Sequence, residues 1–509
     1  MTGFVFPIVT TARPTATPSG TQASFSGELR GLTGLRAVAA VWVVLFHFHF
    51  TPLPGVAEVV GLLGPLITAG ALGVDLFFVL SGFVIAYTYL DELGPALRAR
   101  ATARFVWARA CRLWPAYALV LHLFGIWLVV RAMVGSGGDI AFQAVQPVLD
   151  AGQYVQQLFM VQLWDDARFD GASWVGSTWS ISAEWLAYLL FPVAALVLFR
   201  MRRLPVVVLA CAAVLLMAPM AWAYLSAGTP YFPWSWLVRI LCGFGAGALA
   251  YLAVRKLSWT STARWGASVV AAVLPVLMAA GLLVGELAGP GRGGAIVLLF
   301  PLVVAALAVA DRGPATVLSA RWLVYGGRLS YCLYLVHIPL FEVYWLALRR
   351  FAALAPHTVL AHVVGGLVLL ATVGASALAH HLVEEPSRRR LRAVGPAVAR
   401  MPVRAARALG LRRARPVLVP PLAVTQDDAL ATAAARFAAK RQALAEAGAL
   451  QEPLLPEPRH AATPFRPATL ATALANAQRR RAAHRSEMDM WADHERAEYI
   501  RGGYLHAGG

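Results

Sequence analysis

Charge and cysteine are both scarce in this chain. Only 14% of its 509 residues are Asp, Glu, Lys or Arg, against 59% hydrophobic. Soluble domains carry roughly 25% charge, so that class is excluded and a polytopic membrane protein is expected. The 4 cysteines, Cys111, Cys211, Cys242 and Cys332, fall in or beside apolar segments at unrelated spacings. They read as small packing residues; neither a disulfide framework nor a zinc site is indicated, and no metal is expected. The N-terminal stretch up to Gly27 lacks the basic and apolar regions of a signal peptide and reads as a disordered arm. Acids are scarcer than bases, giving a formal charge of +18. More than half of that excess follows Pro386, and the rest gathers in particular loops. That distribution sets membrane orientation and does not form a nucleic-acid-binding stripe.

What the chain has in abundance is long apolar segments. They recur near 35–54, 73–90, 113–134, 178–199, 204–226, 235–254, 266–286, 294–311, 322–346 and 358–383. The expected fold is an all-α polytopic membrane protein, a bundle of about ten transmembrane helices. The expected division is a disordered cytoplasmic arm at 1–32, a transmembrane domain at 33–390, and a basic Ala/Arg/Pro-rich tail at 391–509, mostly disordered or partly helical. Arginine-rich loops alternate with arginine-poor ones. Arg98, Arg100 and Arg104 precede the third span, and Arg200, Arg202 and Arg203 follow the fourth. The protein is therefore predicted to cross the cell membrane many times with both termini cytoplasmic. Arg349 and Arg350 are exceptions. "RRRLR" after the last span reads as topogenic charge and a patch for anionic membrane lipids.

Against this background each ionisable residue inside a span is a candidate for function. Arg36 and His47, eleven residues apart, return to within about 20° of one helix face, with His47 roughly 16 Å deeper. His47 reads either as a histidine hydrogen-bonded to a neighbouring helix or as a general base. His49 points elsewhere and reads as structural. Asp75, in "GVDLFFVLSGF", is a helix cap or the orienter of a polar partner. Arg109 and Arg112, at i and i+3, suit phosphate oxygens, although membrane orientation alone would also place arginines there. Glu184, in "STWSISAEW", needs a partner or a proton. "LSYCLYLVHIPLF" aligns Ser330, Tyr334 and His337 on one face, as packing glue or as the lining of a tunnel.

As an ordered set, Arg36-x10-His47, "GVDLFFVLSGF", "RACRLWPAY", "STWSISAEW", "LSYCLYLVHIPLF" and "EEPSRRR" resemble the acyltransferase-3 family of integral membrane acyltransferases. The resemblance covers about 33 to 390. It implies a ten-helix domain that moves an acyl group, usually acetyl, from cytoplasmic acyl-CoA to a hydroxyl of a glycan, lipid-linked sugar or secondary metabolite. Acetyl-CoA or another acyl-CoA would be a donor substrate, with no cofactor bound permanently. His47 matches the catalytic histidine, as general base or acyl carrier, and Arg36 its paired arginine. Arg109 and Arg112 match the pair linked to the donor. Glu184, Asp75 and His337 are expected to orient His47 or the acceptor. The tail has no evident Gly-Asp-Ser block of an appended hydrolase-like domain. Intramembrane Asp, Glu and His also suit a proton-coupled transporter or flippase, but paired repeats are not evident. A scaffold whose tail binds partners is the third reading.

Overall fold

Two glycine-lined helix pairs set the architecture of this bundle. The structure is a computed structural model that describes residues 28–133, 145–168 and 171–398. Of the expected arm at 1–32 and tail at 391–509, residues 1–27 and 399–509 lie outside these residues. Among the described residues ten helices are long and apolar enough to cross a membrane. In chain order they are α1 Arg30–Phe48, α2 Pro65–Leu93, α3 Ala99–Met133, α4 Gly176–Met201, α5 Val206–Ala227, α6 Ser235–Val254, α7 Ser261–Ala288, α8 Arg292–Val309, α9 Arg321–Arg350 and α10 Val359–Ala393. No strand occurs among the described residues.

Several ends differ from the hydropathy reading. The first helix starts and stops earlier than 35–54, and Pro52 and Pro54 keep it from continuing, because they force the residues before them out of helical backbone. Leu53 is extended, at φ −110° and ψ 132°. In contrast, α3 begins well before 113, since its arginine-rich first turns continue the helix outside the apolar stretch. The tenth helix passes through a π-helical turn, His380–Glu384, before it runs on.

The pair α2 and α6 runs parallel, with contacts stepping from Asp75 and Arg239 to Asp91 and Arg255. Its close approach depends on missing side chains. A Cβ at Gly82 would fall 1.9 Å from the Phe244 carbonyl oxygen, and one at Gly247 would fall 1.9 Å from that of Val79. The pair α1 and α9 is built likewise: a Cβ at Gly327 would lie 1.8 Å from the Thr33 carbonyl oxygen. Small residues at such crossings let backbones meet, the usual route to helix association in lipid.

Burial separates the centre from the rim. In α2 and α6, 78% of the most apolar window is buried, against 22% in α7 and α10, so the latter present their valines and leucines outward as a lipid-facing surface would. The site-bearing helices α1, α2, α6 and α9 are thus held by backbone contact within the bundle.

Candidate active site

His47 is the penultimate residue of α1, and the α1–α9 pairing carries it to His337. Its Nδ1 lies 3.1 Å from His337 Nε2, with ring centroids 4.8 Å apart. Both side chains are buried. The surrounding carbonyls fix the proton order. His337 Nδ1 is 3.2 Å from the Leu333 carbonyl oxygen and donates to it, leaving Nε2 as an acceptor. His47 Nδ1–H then donates to that Nε2 and to the Val43 carbonyl oxygen, 2.9 Å away. The lone pair of His47 consequently sits on its own Nε2. His49 bonds to the Phe46 carbonyl, and burial pushes its pKa below the ordinary histidine value.

Asp75 and Glu184 do not reach His47. Gly73 packs against Ala39 and Val43, and Arg36 lies over the Phe77 ring, so Asp75 is level with residues 36 to 40 of α1. At 1.5 Å per residue that is roughly 10–16 Å below His47. Both Asp75 oxygens are taken by Arg239, through Nε and Nη2 at 2.9 Å each, and each side chain is 1% exposed. The Arg239 guanidinium also covers the Trp179 ring at 4.8 Å. Glu184 accepts from Ser81 Oγ at 2.7 Å and Tyr188 Oη at 2.5 Å, joining α4 to α2. Of the three expected orienting groups, only His337 reaches His47. The Ser330–Tyr334–His337 face divides in the same way. Tyr334 Oη lies 2.7 Å from Ser180 Oγ and bonds to the Ser177 carbonyl, and Ser330 bonds to its own helix.

The three expected donor-binding arginines stand on the arginine-rich side of the bundle. Arg36 is half-buried, with Phe77 5.6 Å from its guanidinium carbon, and has no ion pair among the described residues. Arg109 donates to Tyr89 Oη at 2.9 Å and lies over the Tyr89 and Tyr188 rings. Its buried Nε has no hydrogen-bond partner. Arg112 instead faces α9 and α10, over the Tyr331 ring at 5.3 Å and paired with Glu384. Their i, i+3 spacing therefore serves two different sets of neighbours. From Tyr331 to His337 is six residues of α9, about 9 Å along the axis.

Four residues of this interior escaped the sequence reading. Arg239 is a lone cation in an apolar span, a signal that was legible but lost its partner to a separation of 164 residues. Glu384 entered only as the first residue of the "EEPSRRR" motif; it is fully buried. His380 Nδ1 and Cys332 Sγ donate to its Oε2 at 2.9 and 3.1 Å. The ligand atoms of Cys332, His380 and Glu384 lie within 4.8 Å of one another, close enough to hold a metal by distance. Charge weighs against that use, because Arg112 already supplies the cation that Glu384 requires. The cluster fits better as a counter-ion nest for Arg112.

Residues 29–381 match a family model described as an acyltransferase domain. Among similar curated proteins, Acyltransferase MdmB of Streptomyces mycarofaciens is 28% identical over 330 residues, 61% of this chain and 78% of the relative. Protein 2 in picA locus of Rhizobium radiobacter is 30% identical over 158 residues, 30% of this chain and 75% of the relative. No solved structure matches the chain.

Proposed function

The chain belongs to the acyltransferase-3 family, and from that premise we propose that it moves an acyl group, acetyl in the first instance, from cytoplasmic acyl-CoA to an acceptor hydroxyl. The acceptor class is a glycan, a lipid-linked sugar or a secondary metabolite. The observation that carries the reading is the His47–His337 contact, 3.1 Å long, lying about 9 Å along α9 beyond the level of Arg112. A pantetheine arm bridges that distance, so phosphates held by Arg36, Arg109 and Arg112 leave the thioester at His47.

His47 Nε2 removes the proton of the acceptor hydroxyl as its oxygen attacks the thioester carbonyl. A C–O bond forms, the C–S bond breaks, and the imidazolium returns the proton to the departing CoA thiolate. His337 touches neither substrate; it accepts from His47 Nδ1–H and so keeps the reactive lone pair on Nε2. Positioning a ring by a second hydrogen bond in this way is the role the third group plays in nucleophile–base–orienter arrangements.

Supply of labelled acetyl-CoA to the purified protein, with mass spectrometry of glycans, lipids and secreted metabolites from cells with and without it, tests the reading. An acetyl mass increment that vanishes in His47→Ala is the expected result. Normal transfer by a folded His47→Ala protein would sink it. Solute movement with no consumption of acyl-CoA would transfer the assignment to a proton-coupled transporter.

A further inference from the structure

We propose that Arg388 binds the phosphates of the donor and that Glu384 holds Arg112 in place for the same anion; this rests on the donor reading above. The sequence motif "EEPSRRR" overlaps the "RRRLR" that reads as topogenic charge, yet the fold divides it between interior and surface. The π-helical turn at His380–Glu384, a device found at functional positions in helices, is where the chain turns Glu384 wholly inward. One turn later Arg388 remains 30% exposed, beside an Arg112 side chain that is 19% exposed. Arg112 pairs with Glu384, one turn before Arg388 on α10, and the α1–α9 crossing at Thr33 and Gly327 brings Arg36 near the level of Tyr331, whose ring Arg112 covers. Three arginines from α1, α3 and α10 therefore converge on one half-open mouth.

The charges there do not balance. Glu384 answers Arg112, and Glu385 answers Arg388 and Arg389 together. With Arg36 unanswered, four guanidiniums face two carboxylates, an excess of two positive charges. A pyrophosphate diester carries about that charge in the opposite sense, and its oxygens suit the planar forks of arginine. Glu384 can steady Arg112 without blocking it. Its Oε2 is already occupied by Cys332 and His380, so the carboxylate meets only one edge of the guanidinium.

The same diphosphate chemistry has two sources, a soluble nucleotide thioester or a lipid headgroup. An open hollow of about 450 Å³ lined by His381, Glu385, Pro386, Arg389 and Arg390 lies beside the same turn, where a headgroup would sit. Calorimetry on the full chain in neutral detergent, with CoA and inorganic pyrophosphate as separate probes, distinguishes these cases. Arg388→Ala is expected to weaken CoA roughly 10-fold, the loss of one charge-assisted contact, and Arg388→Lys to restore part of it. Glu384→Gln should melt earlier and bind pyrophosphate more weakly than its loss of folded protein accounts for, because Arg112 is no longer held toward the anion. A purely structural Glu384 would give looser binding in proportion to lost folded protein. Unchanged affinity for both probes in Arg388→Ala overturns the proposal. Pyrophosphate binding that depends on Arg388 without any CoA binding keeps the anion site and removes the donor reading. In nanodiscs, an Arg388 effect confined to phosphatidylglycerol, with CoA unaffected, assigns the site to lipid and overturns it as a donor site.

Discussion

The Asp75–Arg239 pair and the His47–His337 pair each join two parallel helices inside the same bundle, but they handle charge in opposite ways. In the first, two full charges are matched edge to edge at 2.9 Å twice over. In the second, two imidazoles meet nitrogen to nitrogen in a line that begins at a backbone carbonyl. The Asp75 charge in this pair, 1% exposed on both sides, is answered by Arg239, although Arg239 Nη1 keeps no hydrogen-bond partner among the described residues. The histidine line ends at His47 Nε2, the atom the proposed transfer uses. Burial of an ionisable residue in a membrane span therefore has two meanings, and the partner decides which applies.

Asp75→Asn attacks the comparison where the effect is largest. Arginine stays charged when buried, so the variant leaves Arg239 with an uncompensated charge, and roughly 3–5 kcal/mol of stability is expected to go with it. Thermal unfolding in detergent, followed by tryptophan fluorescence, would show the loss. The double variant Asp75→Leu with Arg239→Met should recover much of it, since an apolar pair of similar volume avoids the desolvation cost. A stable Asp75→Asn protein that lost only transfer would move Asp75 back into the chemistry and dissolve the distinction.

His47→Ala is the mirror experiment. Removal of a general base is expected to slow transfer by about 10²–10⁴-fold while leaving the melting temperature close to that of the unaltered protein. His337 comes next. His337→Ala should cost roughly 10–100-fold, by analogy with the outer partners of ligating histidines. His337→Gln is expected to retain more activity than His337→Ala, because its amide oxygen can accept from His47 Nδ1–H. Equal losses in the two variants would show that His337 acts by packing and not by orienting the tautomer.

The same contrast explains what could be read from the amino-acid order. Span number was legible, since a run of some twenty apolar residues is a local property. Helix ends were less so: Pro52 and Pro54 shorten α1 from one side, while Arg104 and Arg109 lie in a helix that hydropathy alone begins too late. His47, His337, Arg36, Arg109 and Arg112 stood out because a polar group in an apolar run is itself the signal. Their partners did not. Asp75 and Arg239 are separated by 164 residues, and Arg112 meets Glu384 from a different helix. Which carboxylate neutralises which arginine depends on helix packing, here on the glycine crossings at Gly82, Gly247 and Gly327. Sequence spacing treated Asp75 and Glu184 as equals of His337, and only the bundle shows that His337 alone of the three reaches His47.

The smallest expected effect belongs to the same chemistry placed in water. Glu28 meets Arg328 through a fork much like that of Asp75 and Arg239, with Nη2 at 2.7 Å and Nε at 3.4 Å, but the side chains are 38% and 54% exposed. The Arg328 hydrogen bond holds the Glu28 carboxyl below its ordinary pKa. A depressed carboxylate contributes stability above its unfolded pKa and loses it as pH falls through the folded one. Glu28→Gln should therefore cost at most about 1 kcal/mol at neutral pH, less at high salt. The difference from the unaltered protein should close as the pH drops below the ordinary glutamate range. Melting curves of the two proteins across pH and salt would measure it. A cost approaching that of Asp75→Asn would mean that the fork geometry, and not its removal from water, makes an arginine–carboxylate pair indispensable to this bundle.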